Sequence, residues 1–358
     1  MNAWFRGNQE HTHSWPLATS PKLTAMTNGV STGKRAVLVL IAVAMLVMSP
    51  SPAGAIQLQV QLSDTALVYS GDAPDPSILH VAGISYAYTT GSGADNISLL
   101  ESTDQSHWEP IGDALPVLPA WAQAGYTWSP SIAAAPGGGY ELFFDAYDDA
   151  TGLQCIGRAT SATPSGPFID AESAPFLCQR DLGGSIDASV YHRGDGDILV
   201  WKSDGNVGIW SQKLGPDDAS LIGAPVLLLS PSASWENGVV EGPTLVNIDG
   251  TLTLWFSAGQ WSGAGYEIGM VVCSSPLGPC DVDSVSRELA TGPGLTGPGG
   301  PSFYRADGQL KMAFAAWTDG VRGLYLADVA NGGVQGDIAS SRSQRSTRSA
   351  ADSQRAHS

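Results

Sequence analysis

Charge is scarce in this chain, and positive charge scarcest. Only 14% of its 358 residues are Asp, Glu, Lys or Arg. Between residues 56 and 330, nine Lys and Arg face 31 Asp and Glu, a net charge of about −22. Such a field repels phosphate backbones, which argues against a nucleic-acid partner and suits a neutral or cationic substrate. Long apolar runs are also lacking. The one present, residues 36–48, falls short of the ~20 residues that span a bilayer. Lys34 and Arg35 precede it and Ala53-Gly54-Ala55, an A-x-A pattern, follows it. Together they predict a secretory signal peptide, hence a secreted chain with no stable membrane span after cleavage. An uncleaved anchor is the competing reading. Met26 is a second candidate start, which would give the signal peptide an ordinary length. The expected organisation is a leader over 1–55, one domain over 56–330, and a tail over 331–358. That tail is rich in Ser, Arg and Gln, carries few large apolar residues, and is expected to be disordered.

Cysteine is limited to Cys155, Cys178, Cys273 and Cys280. No C-x-x-C spacing occurs and no histidine lies at a zinc-ligand distance in sequence. An even count in an exported chain favours disulfides, and pairing in sequence order gives Cys155–Cys178 and Cys273–Cys280. Zinc remains the alternative. His80, His107 and His192 match no metal spacing, and no G-x-S-x-G nucleophile segment occurs. Helical periodicity is missing throughout.

Glycine and repetition are what the chain has instead. The quartet Asp75-Pro76-Ser77-Ile78 returns as Ser129-Pro130-Ser131-Ile132, Asp187-Ala188-Ser189-Val190, Gly242-Pro243-Thr244-Leu245 and Gly300-Pro301-Ser302-Phe303. Each copy leads to a Gly-containing turn, such as Asp249-Gly250 or Asp307-Gly308, and then to an apolar strand-like run. Strand, Asp-Gly turn and strand is a hairpin signature. Ile156 to Thr160 and Ile268 to Val272 read as third strands. Five such units of roughly 50–60 residues predict an all-β fold, a five-bladed β-propeller.

The first strand of a propeller blade lines the central channel, so equivalent positions form a ring around one axis. The quartets begin at Asp75, Ser129, Asp187, Gly242 and Gly300, with Glu241 just before the fourth. Three carboxylates thus share a ring otherwise filled by small residues. Crowded carboxylates raise one another's pKa, which a purely structural ring has no use for. Hydrolysis of a glycosidic bond needs one carboxylate to activate water and one carboxylic acid to release the leaving oxygen. The bland reading is that these are solvated surface acids, like most of the 31.

At these residues the chain resembles glycoside hydrolase family 43. Gly71-Asp72-Ala73-Pro74-Asp75-Pro76-Ser77-Ile78 is similar to the family's Asp-Pro-Ser segment, and Tyr126-Thr127-Trp128-Ser129-Pro130 to its Trp-Ala/Ser-Pro segment. Ser185-Ile186-Asp187-Ala188-Ser189-Val190 resembles the segment of the third carboxylate, and Val240-Glu241-Gly242-Pro243 that of the acid. The likeness covers about residues 65–330. It implies Asp75 as general base, Glu241 as general acid and Asp187 as the group that tunes and orients the acid. It implies inversion by single displacement on arabinofuranosyl or xylosyl linkages, with acid and base about 6.5–9.5 Å apart. Gly300 stands where many members carry a histidine near a central calcium. A channel calcium is therefore in question, and no cofactor is expected to be required.

Trp128, Ser129 and Gly300, at or beside quartet starts, are the candidate substrate contacts. Trp128 reads equally as a sugar-stacking ring or as blade core. Trp121, Tyr126 and Trp261 fall in loops able to shape a cleft. Lys202 is placed to reach the channel mouth, with an exposed strand end as the blander reading, and the repeated quartet hydroxyls read as makers of local hydrogen bonds. An oligo- or polysaccharide is the expected partner, for a monomer. A carbohydrate-binding propeller without turnover is the reading from another class. An invertase-like fructosidase is disfavoured because position 242 is Gly and not Cys. Exo or endo action stays open.

Overall fold

The computed structural model describes residues 60–331. The leader over 1–55 and, apart from Asn331, the tail over 331–358 lie outside the described residues.

The chain opens on β1 (Val60–Tyr69) and then forms blade one from β2 (Ser77–Val81), β3 (Ile84–Thr90), β4 (Ile97–Ser102) and β5 (Glu109–Asp113). Blade two holds β6 (Trp128–Ala134), β7 (Tyr140–Asp148) and β8 (Leu153–Ser161). Blade three holds β9 (Ser185–Tyr191), β10 (Ile198–Ser203), β11 (Ile209–Leu214) and β12 (Leu221–Leu229). Blade four holds β13 (Val240–Ile248), β14 (Thr251–Ala258), β15 (Glu267–Val272) and β16 (Ser286–Leu289). Blade five holds β17 (Gly299–Ala306), β18 (Gln309–Thr318) and β19 (Val321–Asn331). Its fourth strand is β1, which pairs antiparallel with β19. The five antiparallel sheets form the predicted five-bladed propeller.

Local chemistry sets the hairpins. Ala82-Gly83, Asp249-Gly250 and Asp307-Gly308 join first to second strands as two-residue turns with positive φ at both positions. That is the primed turn whose twist matches the flanking strands. The second strands are apolar without alternation because both of their faces are buried. Successive side chains point to opposite faces of a strand, so each second strand serves two interfaces. On β7, Phe144 packs with blade one while Phe143 packs with blade three. On β14, Phe256 joins the blade-three cluster and Trp255 the blade-five cluster. The core is therefore five clusters between neighbouring blades, the last one closing blade five on blade one through Tyr304, Leu324, Ala87 and Leu100.

The quartet hydroxyls also work between blades, which corrects the expectation of local bonds. Ser189, Thr244 and Ser302 donate to the carbonyls of Pro243, Pro301 and Pro76 in the next blade. Ser77 Oγ accepts the N–H of Ile132 in blade two. A side chain that satisfies a buried backbone group in the adjacent sheet sets the blades' relative height.

Both expected disulfides are present, Cys155–Cys178 and Cys273–Cys280. The first ties the loop after β8 to that strand, at the side of blade two that carries no fourth strand. The partners are 23 residues apart in the first bridge and 7 in the second. Loop-closure entropy then assigns about 3.5 kcal/mol to the first and about 2.5 kcal/mol to the second. Replacing each pair by alanines and measuring urea unfolding is expected to show the larger loss for Cys155/Cys178.

Between blades two and three, Glu141 is fully buried and its Oε2 accepts from Arg158 at 2.9 Å. Its Oε1 and Asp218 Oδ2 are buried without a donor. Burial pushes Glu141 up to about 8 against the opposing pull of Arg158, and the facing Asp218 adds to the rise. Asp218, which also faces Asp197, is raised too. One proton between two carboxyls satisfies both orphaned oxygens. A carboxyl whose folded pKa is raised contributes stability below its unfolded value and loses it as pH climbs through the folded one. Thermal stability is accordingly expected to fall from pH 5 to pH 8. Glu141→Gln, which keeps a donor without titrating, is expected to flatten that decline; an unchanged slope would refute the shared proton.

Candidate active site

The first residue of every quartet lies in the left-handed region: φ is +52° at Asp75, +43° at Ser129, +59° at Asp187, +55° at Gly242 and +66° at Gly300. Glycine adopts this conformation freely, Asp tolerates it, and other side chains rarely do. Next to it the ladder slips, between Trp128 and Ser131, Glu241 and Thr244, and Gly299 and Ser302. A bulge of this kind bends a strand end and re-aims its side chains. In blades one and three the left-handed residue itself bears the carboxylate. In blade four it is Gly242, and the carboxylate comes from the residue before it, Glu241.

All five quartets line one cavity of about 430 Å³. Asp75, Asp187 and Glu241 meet in it, together with Trp128, Ser129 and Gly300. Asp75 Oδ2 accepts from Thr90 Oγ1 at 2.6 Å. The Arg322 guanidinium straddles both Asp75 oxygens at 3.2 and 3.4 Å. Arg322 in turn lies 5.0 Å from the centre of the Trp261 ring, which stacks on Trp317. Asp187 Oδ2 accepts the N–H of Gly242 at 2.9 Å, and the Asp187 N–H donates to both oxygens of Asp145. Glu241 Oε2 is paired with Lys202 Nζ at 2.8 Å.

These neighbours sort the charges. Burial and the Glu241 and Asp75 carboxylates push Asp187 up to about 7, while Lys202 and the Gly242 N–H pull the other way. Burial, then Asp187, raises Asp145 well above the carboxylate range. Asp204 is raised by burial and by Glu241, against Lys202. For Lys202 burial works against the ammonium, but Glu241, Asp187 and Asp204 outweigh it. The cavity therefore holds several carboxylates, one of them with a proton available near neutrality.

Trp128 is 38% exposed and lines the cavity, so its ring is a wall of the site and not blade core. Trp261 lines it as well. Trp121 does not: it is buried and stacked on Phe144, inside the blade-one/blade-two cluster. Tyr126 is exposed against Tyr147. Of the two readings of Lys202 the structure takes the one at the channel and corrects the blander one: the side chain lines the cavity as a buried ion-pair partner and is not an exposed strand end. Arg322, Asp145, Asp204 and Tyr266 were not read from the sequence. Asp145 had a signal, since it holds the same place on its second strand as Lys202 does. Arg322, after a turn on the outer hairpin of blade five, had none.

The position that put a channel calcium in question brings it no side-chain ligand. Gly300 has no side chain, and a Cβ there would stand 3.2 Å from Asp75 Cα. Among the described residues no group of three or more His, Cys, Asp or Glu is arranged to hold a metal ion.

Comparison with known proteins gives a consistent placement. Residues 65–332 match the pattern of Glycosyl hydrolases family 43. A β-D-galactofuranosidase of Aspergillus niger is 28% identical over 204 residues, which are 53% of this chain and 56% of that one. An arabinoxylan arabinofuranohydrolase of Bacillus subtilis is 27% identical, over 60% of this chain and 47% of that one. The chain thus spans about half the length of the curated relatives it matches. A crystal structure of a thermostable family-43 glycoside hydrolase shares the fold, with a TM-score of 0.64, 24% identity, and coverage of 73% of this chain and 89% of that one.

A ring that walls a cavity contributes little to folding. Trp128→Ala is expected to leave thermal stability near that of the wild type, whereas truncating the fully buried Trp201 is expected to cost about 3–5 kcal/mol. A large stability loss for Trp128→Ala would return that ring to the core.

Proposed function

The chain belongs to Glycosyl hydrolases family 43, and from that premise we propose that it is a glycosidase acting on furanosyl or xylosyl linkages of arabinan, arabinoxylan or a related polysaccharide. The observation that carries this reading is the meeting of Asp75, Asp187 and Glu241 in one cavity walled by Trp128 and Trp261. Aromatic faces receive the C–H faces of sugars, and the carboxylates supply acid and base. Names borne by the relatives, for galactofuranose and arabinoxylan, support a five-membered or pentose ring as substrate.

In this mechanism Asp75 is the base. Arg322 and Thr90 hold its two oxygens in place, so the carboxylate takes a proton from a water that attacks the anomeric carbon. The glycosidic C–O bond breaks as the new bond forms, and Glu241 donates its proton to the leaving oxygen. One displacement gives a product of inverted configuration. Asp187, pushed up by burial and by Glu241, holds a proton within the same cluster. The substrate is reached outside the cell, a reading supported by the two disulfides; among the described residues no helix is long and apolar enough to cross a membrane.

A carbohydrate-binding propeller without turnover is the second reading. One observation favours it: Lys202 occupies one of the two Glu241 oxygens from which an acid would serve a leaving group. Purified protein assayed on aryl α-L-arabinofuranoside, β-D-galactofuranoside and β-D-xyloside, with arabinan and arabinoxylan, separates the two. Asp75→Ala and Glu241→Gln are each expected to stay folded and lose about 10²- to 10⁴-fold in turnover. NMR of the first-formed sugar is expected to show the inverted anomer. Retained configuration would remove the single displacement, and binding without turnover across the panel would select the second reading.

A further inference from the structure

The second strands carry a rule that three blades keep and two break, one of them with a charge. Thr90, Asp145, Lys202, Ser257 and Ala315 are equivalent: each lies two residues beyond the partner of its quartet's third residue. In three blades this side chain accepts the backbone N–H of the left-handed residue in the next blade. Thr90 takes that of Ser129, Asp145 that of Asp187, and Ser257 that of Gly300. These bonds anchor a strained residue by its amide.

Lysine cannot accept a hydrogen bond. The amide that Lys202 should hold, that of Gly242, is taken by Asp187 Oδ2 instead. A Ser, Thr or Asp at position 202 would have met the structural need. The chain instead buries an ammonium, which is costly unless paired. Its partner is the Glu241 carboxylate in the blade ahead, at 2.8 Å, with Asp187 and Asp204 the other charges facing it. Beyond these, Asp145 sits behind Asp187, and Tyr266 lies against Glu241 from blade four.

We propose that Lys202 is the positioning residue of Glu241: its ammonium fixes the carboxyl at the cavity wall in the empty site. This rests on the glycosidase reading above. The Glu241 oxygen engaged by Lys202 must be released, or the other presented, when a leaving oxygen arrives, so loss of the lysine alters the chemical step more than binding.

The test compares wild type with Lys202→Met, Lys202→Arg and Lys202→Ser, the last restoring the residue type that the repeat uses. All should remain folded by circular dichroism; if the Met variant does not, the Ser variant carries the same comparison. In Lys202→Met kcat is expected to fall about 10- to 100-fold with KM within about threefold, as for a misplaced catalytic group. Lys202→Arg, which keeps a cation beside the carboxylate, is expected to return kcat to within about threefold of wild type. A Met or Ser variant with kcat within twofold, or an Arg variant no better than Met, overturns the proposal. If the wild type hydrolyses nothing in the panel, the glycosidase reading fails by itself. Carboxyl ¹³C NMR then decides the lysine: at one fixed pH the Glu241 carboxyl resonance is expected to move in Lys202→Met, which lacks the contact, and coincident resonances overturn the assignment.

Discussion

Ring closure is the constraint on which everything else in this molecule depends. Each blade is a small antiparallel sheet with two apolar faces, and neither face survives in water. The only arrangement that buries all ten is a closed circle, in which every second strand feeds two clusters. The circle is sealed by β1, the first described strand, which completes the last blade against β19. Hydrogen bonding across that seam links the two ends of the domain, so blade five can separate from blade one only by breaking a sheet. The hydroxyl-to-carbonyl bonds of the quartets then hold the blades at one height.

Closure brings five strand starts to the axis, and the left-handed residue at each start turns the chain there. The site follows from this geometry. Carboxylates that would repel one another in any open arrangement are held together because the blades behind them are rigid. Their charge is divided by two cations of different kinds. Arg322 lies at the rim, stacked on Trp261, and grips Asp75 with a planar fork. Lys202 lies in the wall and meets Glu241 as a point charge. Asp187 has no cation of its own and is pushed towards neutrality. The three carboxylates of the cavity therefore stand in different surroundings, two beside a cation and one without.

Much of this was legible in the chain, for identifiable reasons. The quartets repeat because every blade needs the same bulged, bonded start, so Asp75, Asp187 and Glu241 could be placed on one ring by counting. Both disulfides were legible because each closes a short loop. Trp128 was ambiguous, since a tryptophan beside a strand start can face either the axis or a neighbouring blade. Trp121 looked like a cleft residue and is core, because its loop folds back onto Phe144.

The sequence by itself determined the blade number, the hairpin turns and the three carboxylates, because all of these are written in local pattern and constant spacing. Only the tertiary structure decided which cation faces which carboxylate. Lys202 and Glu241 are 39 residues apart and Arg322 and Asp75 are 247 apart. Those pairs exist only once the ring has closed, and no local pattern records a contact that closure creates.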